Sequence, residues 1–224
     1  MEEIFPPLAG NESEKLKKPD DFVSFTLQYQ QMIMLYESAV KCVTMQLDIL
    51  EQECRSQGRH TPIHLVSSRI KQPMSINAKM KRKGLPITVD AIMQNLNDVA
   101  GVRIICEYIS DVYAVRDLLK NSGLLEIVQE KDYIARPKPN GYRSLHLIVN
   151  VPVLLTAGVE KVRCEIQLRT SAMDSWASLE HHIRYKSGNR CDASTNAELS
   201  RCADMLYQTD LCLQEVVSSL HLTE

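Results

Sequence analysis

No charge of either sign dominates this sequence. Its 26 Lys and Arg against 28 Asp and Glu leave a formal net charge of −2. That balance argues against RNA as the main partner without excluding it, so any local positive patch must serve a local purpose. The seven cysteines, Cys42, Cys54, Cys106, Cys164, Cys191, Cys202 and Cys212, contain no Cys-x-x-Cys pair and no Cys/His group at zinc-ligand spacing. An odd, scattered set fits a reducing cytosol better than a disulfide framework. Cys106 and Cys164 fall inside apolar strand patterns and read as small core residues. The first 20 residues lack the apolar run of a signal peptide, and no segment approaches the length of a membrane span. A cytoplasmic protein is expected. There is no internal repeat and no low-complexity tract. What remains is an ordinary globular composition, 224 residues with 44% hydrophobic and 24% charged, enough for a sizeable core.

Residues 1–20, with Pro6, Pro7, Gly10 and Pro19 among charges, read as a flexible tail. From Phe22 the apolar residues Phe25, Tyr29, Met32, Tyr36, Val40, Val43, Leu47 and Leu50 recur at steps of three or four, so 21–58 reads as a long amphipathic helix ending near Gly58. Strands are expected at 63–70, 99–108, 124–135, 142–151 and 161–169. Pro73 opens a short helix that Gly84 stops, Thr88 caps a second running to Leu96, and Ser110 caps a third, 111–121. Residues 170–185 are helical, 187–195 a polar link, and 197–220 a final long helix. This order predicts an α/β fold, a mixed sheet with helical ends. The segments divide as tail 1–20, helix 21–58, catalytic domain 59–186 and C-terminal helical extension 187–224.

Six cations, Arg69, Lys71, Lys79, Lys81, Arg82 and Lys83, lie within fifteen residues of a slightly acidic chain. A triphosphate needs such charge, and an Arg fork also stacks on bases. A merely solvated basic helix face is the alternative. Asp98 sits just before a nearly all-apolar strand, and Glu165 lies within Val162–Arg169, where Glu165, Gln167 and Arg169 alternate with Cys164, Ile166 and Leu168. That strand has one polar and one apolar face. Two carboxylates converging from neighbouring strands can hold Mg2+ with a nucleotide's phosphates. The alternative is a sheet with one wet face and Asp98 as a cap. Asp98 and Arg103 are an odd number apart, so a turn or bulge near Ala100-Gly101 is needed for both to serve one site.

The stretch Lys138-Pro139-Asn140-Gly141-Tyr142-Arg143-Ser144-Leu145-His146 is the least ordinary. Asn-Gly favours a tight turn. Tyr142, Ser144 and His146 then alternate on one face of the next strand, a row able to stack a base and bond a sugar or phosphate. A solvated hairpin is the alternative.

Four blocks carry a resemblance: Ser68-Arg69-Ile70-Lys71 through Ser75 to Lys79, Arg82 and Lys83; Asp98 to Arg103; Asn140 to His146; and Glu165 to Thr170. In this order they resemble the synthetase domain of the (p)ppGpp synthetases of the RelA/SpoT family, over about residues 60–186. Trp176 to His181 also fits. The short chain leaves no room for the hydrolase and regulatory domains of the long enzymes, and so resembles the stand-alone small alarmone synthetases.

The resemblance implies a nucleotidyltransferase-like fold and transfer of the β,γ-pyrophosphate of ATP to the 3′-hydroxyl of GDP or GTP, with Mg2+. It implies that Arg69 and Arg103 hold the adenine, and that Lys71, Ser75, Lys79 and Arg82 bind the ATP phosphates. Asp98 and Glu165 would hold Mg2+, with Glu165 also the base for the 3′-hydroxyl. Tyr142 would stack on the guanine. Lys138, Asn140, Arg143 and His146 would contact the acceptor or the moving phosphates, and Gln167 would support Glu165 or the acceptor ribose. Met74 replaces an acid that many relatives carry in the Pro-x-Ser turn. The resemblance also favours a homotetramer through the terminal helices, with a regulatory (p)ppGpp site between subunits. A catalytically silent nucleotide-sensing or RNA-binding module on the same fold is the competing function; intact Asp98 and Glu165 argue against it.

Overall fold

A computed structural model describes residues 19–186 and 192–220. The expected tail 1–20 falls almost wholly outside the described residues, as does most of the polar link. Among the described residues the chain forms α1 (Pro19–Ser56), β1 (Leu65–Ile70), α2 (Pro73–Arg82), α3 (Val89–Asn95), β2 (Ala100–Cys106), α4 (Ile109–Asn121), β3 (Glu126–Asp132), β4 (Leu145–Leu155), β5 (Gly158–Thr170), α5 (Ser171–Lys186) and α6 (Ala193–Ser219). The strands make one mixed sheet in the order β1-β2-β5-β4-β3. Only β2 and β5 run parallel; the other neighbours are antiparallel.

The α1 stripe wraps the sheet. Tyr29, Met32, Tyr36, Val40, Val43 and Leu47 are buried in one cluster with the strand residues Val102, Ile104, Leu145, Leu147, Ile166 and Leu168. Helix α4 adds Val112, Val115 and Leu119 to that cluster. The turn α2–α3 follows its local signals: Pro73 sits in the first turn of α2, Gly84 adopts φ +66, and the Thr88 hydroxyl accepts from Ala91 N–H at 3.2 Å. Cys106 and Cys164 are buried, and burial pushes both thiols up, Cys164 to about 12.

Three expectations change. Helix α4 is capped at Tyr108, not Ser110, because the Asp111 carboxylate reaches back to Tyr108 N–H at 3.2 Å. Helix α6 begins at Ala193, four residues before the expected start, because Asp192 caps it through Thr195 N–H at 2.7 Å. Its apolar stripe is only partly used: Leu199 and Val217 are buried, whereas Cys202, Leu213 and Leu220 are exposed. Finally, β4 begins at Leu145 rather than Tyr142. Gly141 N–H bonds Lys138 C=O at 2.8 Å and Tyr142 N–H bonds Asn140 Oδ1 at 3.3 Å, so Tyr142 belongs to the turn.

Candidate active site

The parallel pairing of β2 with β5 builds the floor of the site. Its register sets Gly101 beside Glu165 and Arg103 beside Gln167, while β4 sets His146 against Gln167 and β1 sets Arg69 against Gly101. Paired residues share a face. Arg69, Arg103, Glu165, Gln167, Arg169 and His146 therefore line the face opposite the apolar core, as the alternation in β5 predicts.

Asp98 reaches this floor without a bulge. Strand β2 is regular from Ala100, and the chain bends at Asn97 and Val99 just before it. The strand phase thus starts after Asp98, and the odd spacing to Arg103 loses its meaning. Asp98 Oδ2 receives Lys71 Nζ at 3.0 Å and Lys79 Nζ at 2.7 Å. Burial pushes the Asp98 carboxyl up, but the hydrogen bonds and charges of the two ammonium groups outweigh it and hold it below its ordinary value. Ser75, in the first turn of α2, and Arg82, in its last, are exposed. Lys83 turns aside to the Asn95 carbonyl at 3.0 Å.

Beside this cluster, Ser67, Ser68, Arg69, Gly101, Val102, Arg103 and Gln167 line an open cleft. Gly101 forms part of its floor, and the Arg69 side chain lies across the glycine. Arg103 crosses to α5, pairing with Asp174 Oδ1 at 3.2 Å. Burial and the neighbouring Arg169 guanidinium lower its pKa while Asp174 raises it.

Glu165 is held at both oxygens. Oε1 meets His146 Nδ1 at 3.2 Å and Oε2 accepts from Gln167 Nε2 at 2.9 Å. Burial raises its pKa; the hydrogen bond and charge of His146, then Gln167, outweigh that, although the nearby Asp98 charge opposes them. The carboxyl sits below its ordinary value. His146 Nε2 meets the Tyr142 hydroxyl at 2.8 Å. Lys138 Nζ stands 4.6 Å from the Tyr142 ring centre and 4.7 Å from that of Tyr133, whose ring also meets His146 edge-on.

Two expected contacts lie elsewhere. Asn140 spends its amide on Glu180 Oε1 at 3.1 Å. Arg143 points to α6, donating to Ile134 C=O and Asp204 Oδ1, both at 3.1 Å, with its guanidinium 3.9 Å from the Tyr207 ring centre. Both pin the Tyr142 turn rather than face Glu165. Conversely, Arg169 and Asp174 tie the site together and received no role in the sequence reading. Arg169 continues the alternation Glu165, Gln167, Arg169, a signal that was present. Asp174 lies on α5 and has no such local signal.

The donor set fits a metal delivered with substrate. Asp98 Oδ1 is buried with no hydrogen-bond partner, and Asp98 bears electrostatically on Glu165. Among the described residues no cluster of three or more acids, histidines or cysteines could hold a metal alone. Two carboxylates completed by phosphate oxygens and water are the ordinary Mg2+ environment.

Residues 68–190 match a family model described as the region found in RelA / SpoT proteins. The chain is 44% identical over 191 residues to the GTP pyrophosphokinase YwaC of Bacillus subtilis, covering 85% of this chain and 91% of that protein. The structure superposes on that of small alarmone synthetase 2 from B. subtilis with a TM-score of 0.78 at 42% identity, covering 85% and 98% of the two chains. It superposes on small alarmone synthetase 1 of the same organism, bound to its product pppGpp, with a TM-score of 0.79 at 31% identity, covering 86% and 97%. With a mixed five-stranded sheet flanked by helices and a family match across the whole basic, acidic and loop constellation, the chain belongs to the RelA/SpoT family.

Proposed function

We propose that this protein transfers the β,γ-pyrophosphate of ATP to the 3′-hydroxyl of GDP or GTP, breaking the bond from the α–β bridging oxygen to the β-phosphorus and releasing AMP, to make ppGpp or pppGpp, as a cytoplasmic synthetase whose catalytic domain spans 59–186. The observation that carries this reading is the position of Glu165. It is bonded to His146 beside the Tyr142 platform and neighbours Asp98 under Lys71 and Lys79. The names of the similar B. subtilis proteins support it.

In this reading Arg69 and Arg103 grip the adenine across the cleft. Lys71 and Lys79, with Ser75 and Arg82 at the two ends of α2, take the triphosphate. An arriving triphosphate competes with Asp98 for the two ammonium groups and releases the carboxylate they now neutralise. Tyr142 stacks on the guanine, with Lys138 beside it. Asn140 and Arg143 hold the turn that aims Tyr142. Asp98 and Glu165 would hold Mg2+, which when bound would supply charge neutralisation at the phosphates. Glu165 accepts the 3′-hydroxyl proton. His146 and Gln167 fix the direction in which that carboxylate points. Because the transferred group is loosely bonded at the transition state, alignment and charge neutralisation supply most of the acceleration.

Exposed apolar residues on α1 (Leu27, Met34, Met45, Ile49) and on or just after α6 (Met205, Leu213, Val216, Leu220) support association through these helices; a homotetramer with a regulatory (p)ppGpp between subunits is the assembly proposed. A silent nucleotide sensor on the same fold is not favoured, since a binder gains nothing from keeping Asp98 and Glu165. Incubating purified protein with β-labelled ATP, Mg2+ and GDP or GTP tests the reaction. Labelled guanosine tetra- or pentaphosphate is expected, and its absence from folded protein overturns the proposal.

A further inference from the structure

Arg169 is buried, and all of its donor nitrogens are engaged. Nε lies 3.4 Å from Ser144 Oγ, Nη1 donates to Asp174 Oδ1 at 2.9 Å, and Nη2 donates both to the Tyr142 hydroxyl at 2.6 Å and to Gln167 Oε1 at 3.2 Å. The two Nη2 bonds start two arms with a common end. Along one, Gln167 passes the bond on to Glu165 Oε2 through its own amide. Along the other, Tyr142 accepts from Arg169, which leaves its single hydrogen for His146 Nε2; His146 Nδ1 then donates to Glu165 Oε1. The bonds close a ring, Arg169, Tyr142, His146, Glu165 and Gln167, running from a cation to an anion. Aligned donors of this kind polarise one another and hold each member in one orientation.

The anchor of the ring is Asp174. Its Oδ1 is shared by Arg169 at 2.9 Å and by Arg103 at 3.2 Å. One α5 carboxylate thereby fastens the guanidinium that sets the ring and the guanidinium that lines the donor cleft.

We propose that Arg169, fastened by Asp174, is a positioning residue that aligns the acceptor platform Tyr142 and the carboxylate Glu165 with each other, acting through its planar fork rather than its charge. A lysine keeps the charge beside Asp174 but cannot span Tyr142, Gln167 and Asp174 at once. The inference rests on the reading of Tyr142 and Glu165 given above and deepens it.

The test is steady-state kinetics and ligand titration on full-length R169K, D174N, Y142F and the R169K/Y142F double variant. R169K is expected to fold, to bind a non-hydrolysable ATP analogue within about twofold of wild type, and to lose about a hundredfold in kcat, the scale of an ångström misplacement. Because Arg169 acts through Tyr142, the double variant should be no worse than R169K alone. Turnover in R169K near wild type, or additive losses in the double variant, overturns the proposal. Should R169K fail to fold, D174N reads the same anchor with Arg169's own contacts to Tyr142 and Gln167 intact. An expected tenfold or so loss in kcat supports the proposal, and an unchanged kcat refutes it. If the wild-type protein forms no product, the reaction is what fails. The positioning role is then read from fluorescent GDP binding, which R169K should weaken non-additively with Y142F.

Discussion

Replacing Gly141 by Ala tests whether α6 sets the acceptor platform. Gly141 has φ +87, in the left-handed region that favours glycine. A Cβ there would lie 2.6 Å from Ala203 Cβ and 3.2 Å from Ser200 Cα, both on α6. Two costs follow. The left-handed backbone costs a non-glycine residue about 1–2 kcal/mol, and forcing one carbon into a packed contact costs about 1–3 kcal/mol. Their sum is about 2–5 kcal/mol, which for a chain of this size lowers the melting temperature by roughly 4–20 °C. The same displacement moves Tyr142, the next residue, so the acceptor KM should rise more than the donor KM. Differential scanning fluorimetry and two-substrate kinetics read the two effects. The companion A203G removes the larger part of the steric share, the contact with Ala203 Cβ, and leaves that with Ser200 Cα, at a cost of about 1 kcal/mol for glycine inside a helix. G141A/A203G should therefore be more stable than additivity of the single variants predicts. A G141A protein with wild-type melting temperature and acceptor KM would refute the close contact and the role given to α6.

E165Q removes the proposed proton acceptor and one oxygen of the proposed metal site while keeping the shape. Turnover should fall by at least about a hundredfold, and near-normal turnover with normal Mg2+ dependence would eliminate both roles of Glu165. K79M should raise the ATP KM by about tenfold or more while leaving acceptor binding, followed by isothermal titration, alone, because the lost cation pairs with Asp98 and is proposed to serve the donor phosphates. Asp210 is buried, with its pKa raised by burial and lowered in part by a Thr170 hydroxyl bond at 2.6 Å. An acid whose folded pKa exceeds its unfolded value costs stability above the folded pKa, and the cost fades as pH falls through it. D210N, whose amide oxygen still accepts from Thr170, should thus melt at or above wild type at neutral pH. The gap should narrow in acid, and a gap that widened there would contradict the raised pKa.

Local chemistry made most elements legible. The three-and-four spacing of Tyr29 to Leu47 marked the face that α1 buries, Thr88 and Gly84 marked helix ends, and the alternation Glu165, Gln167, Arg169 marked the wet face of β5. Contacts between distant segments were not legible. Arg143 alternates with nothing that reveals Asp204 or Tyr207, sixty residues away and more. Asp174 looks like any acid in a first helical turn until the fold sets it between Arg103 and Arg169. The turn at Asn140 is legible in its Asn-Gly pair, whereas its partner Glu180, forty residues on, is not. In each case the sequence pattern reports which way a side chain leaves its own element, while what it meets depends on pairing.

That dependence is sharpest at the two carboxylates. With Gly101 beside Glu165 in a parallel register, extending β2 back three residues to Asp98 would leave it about 10 Å from Glu165 along the strand. The bend at Asn97 and Val99 then has only that gap to close. Had the same strands paired antiparallel about Arg103 and Gln167, position 98 would lie opposite position 172, about 24 Å from Glu165 along the strand. No bend of three residues spans that. Nothing in the composition of either strand distinguishes the two pairings. The distinction comes from the long crossover through α4, β3 and β4, which returns the chain to the edge of β2 in the same direction and so brings both acids to one end of the cleft.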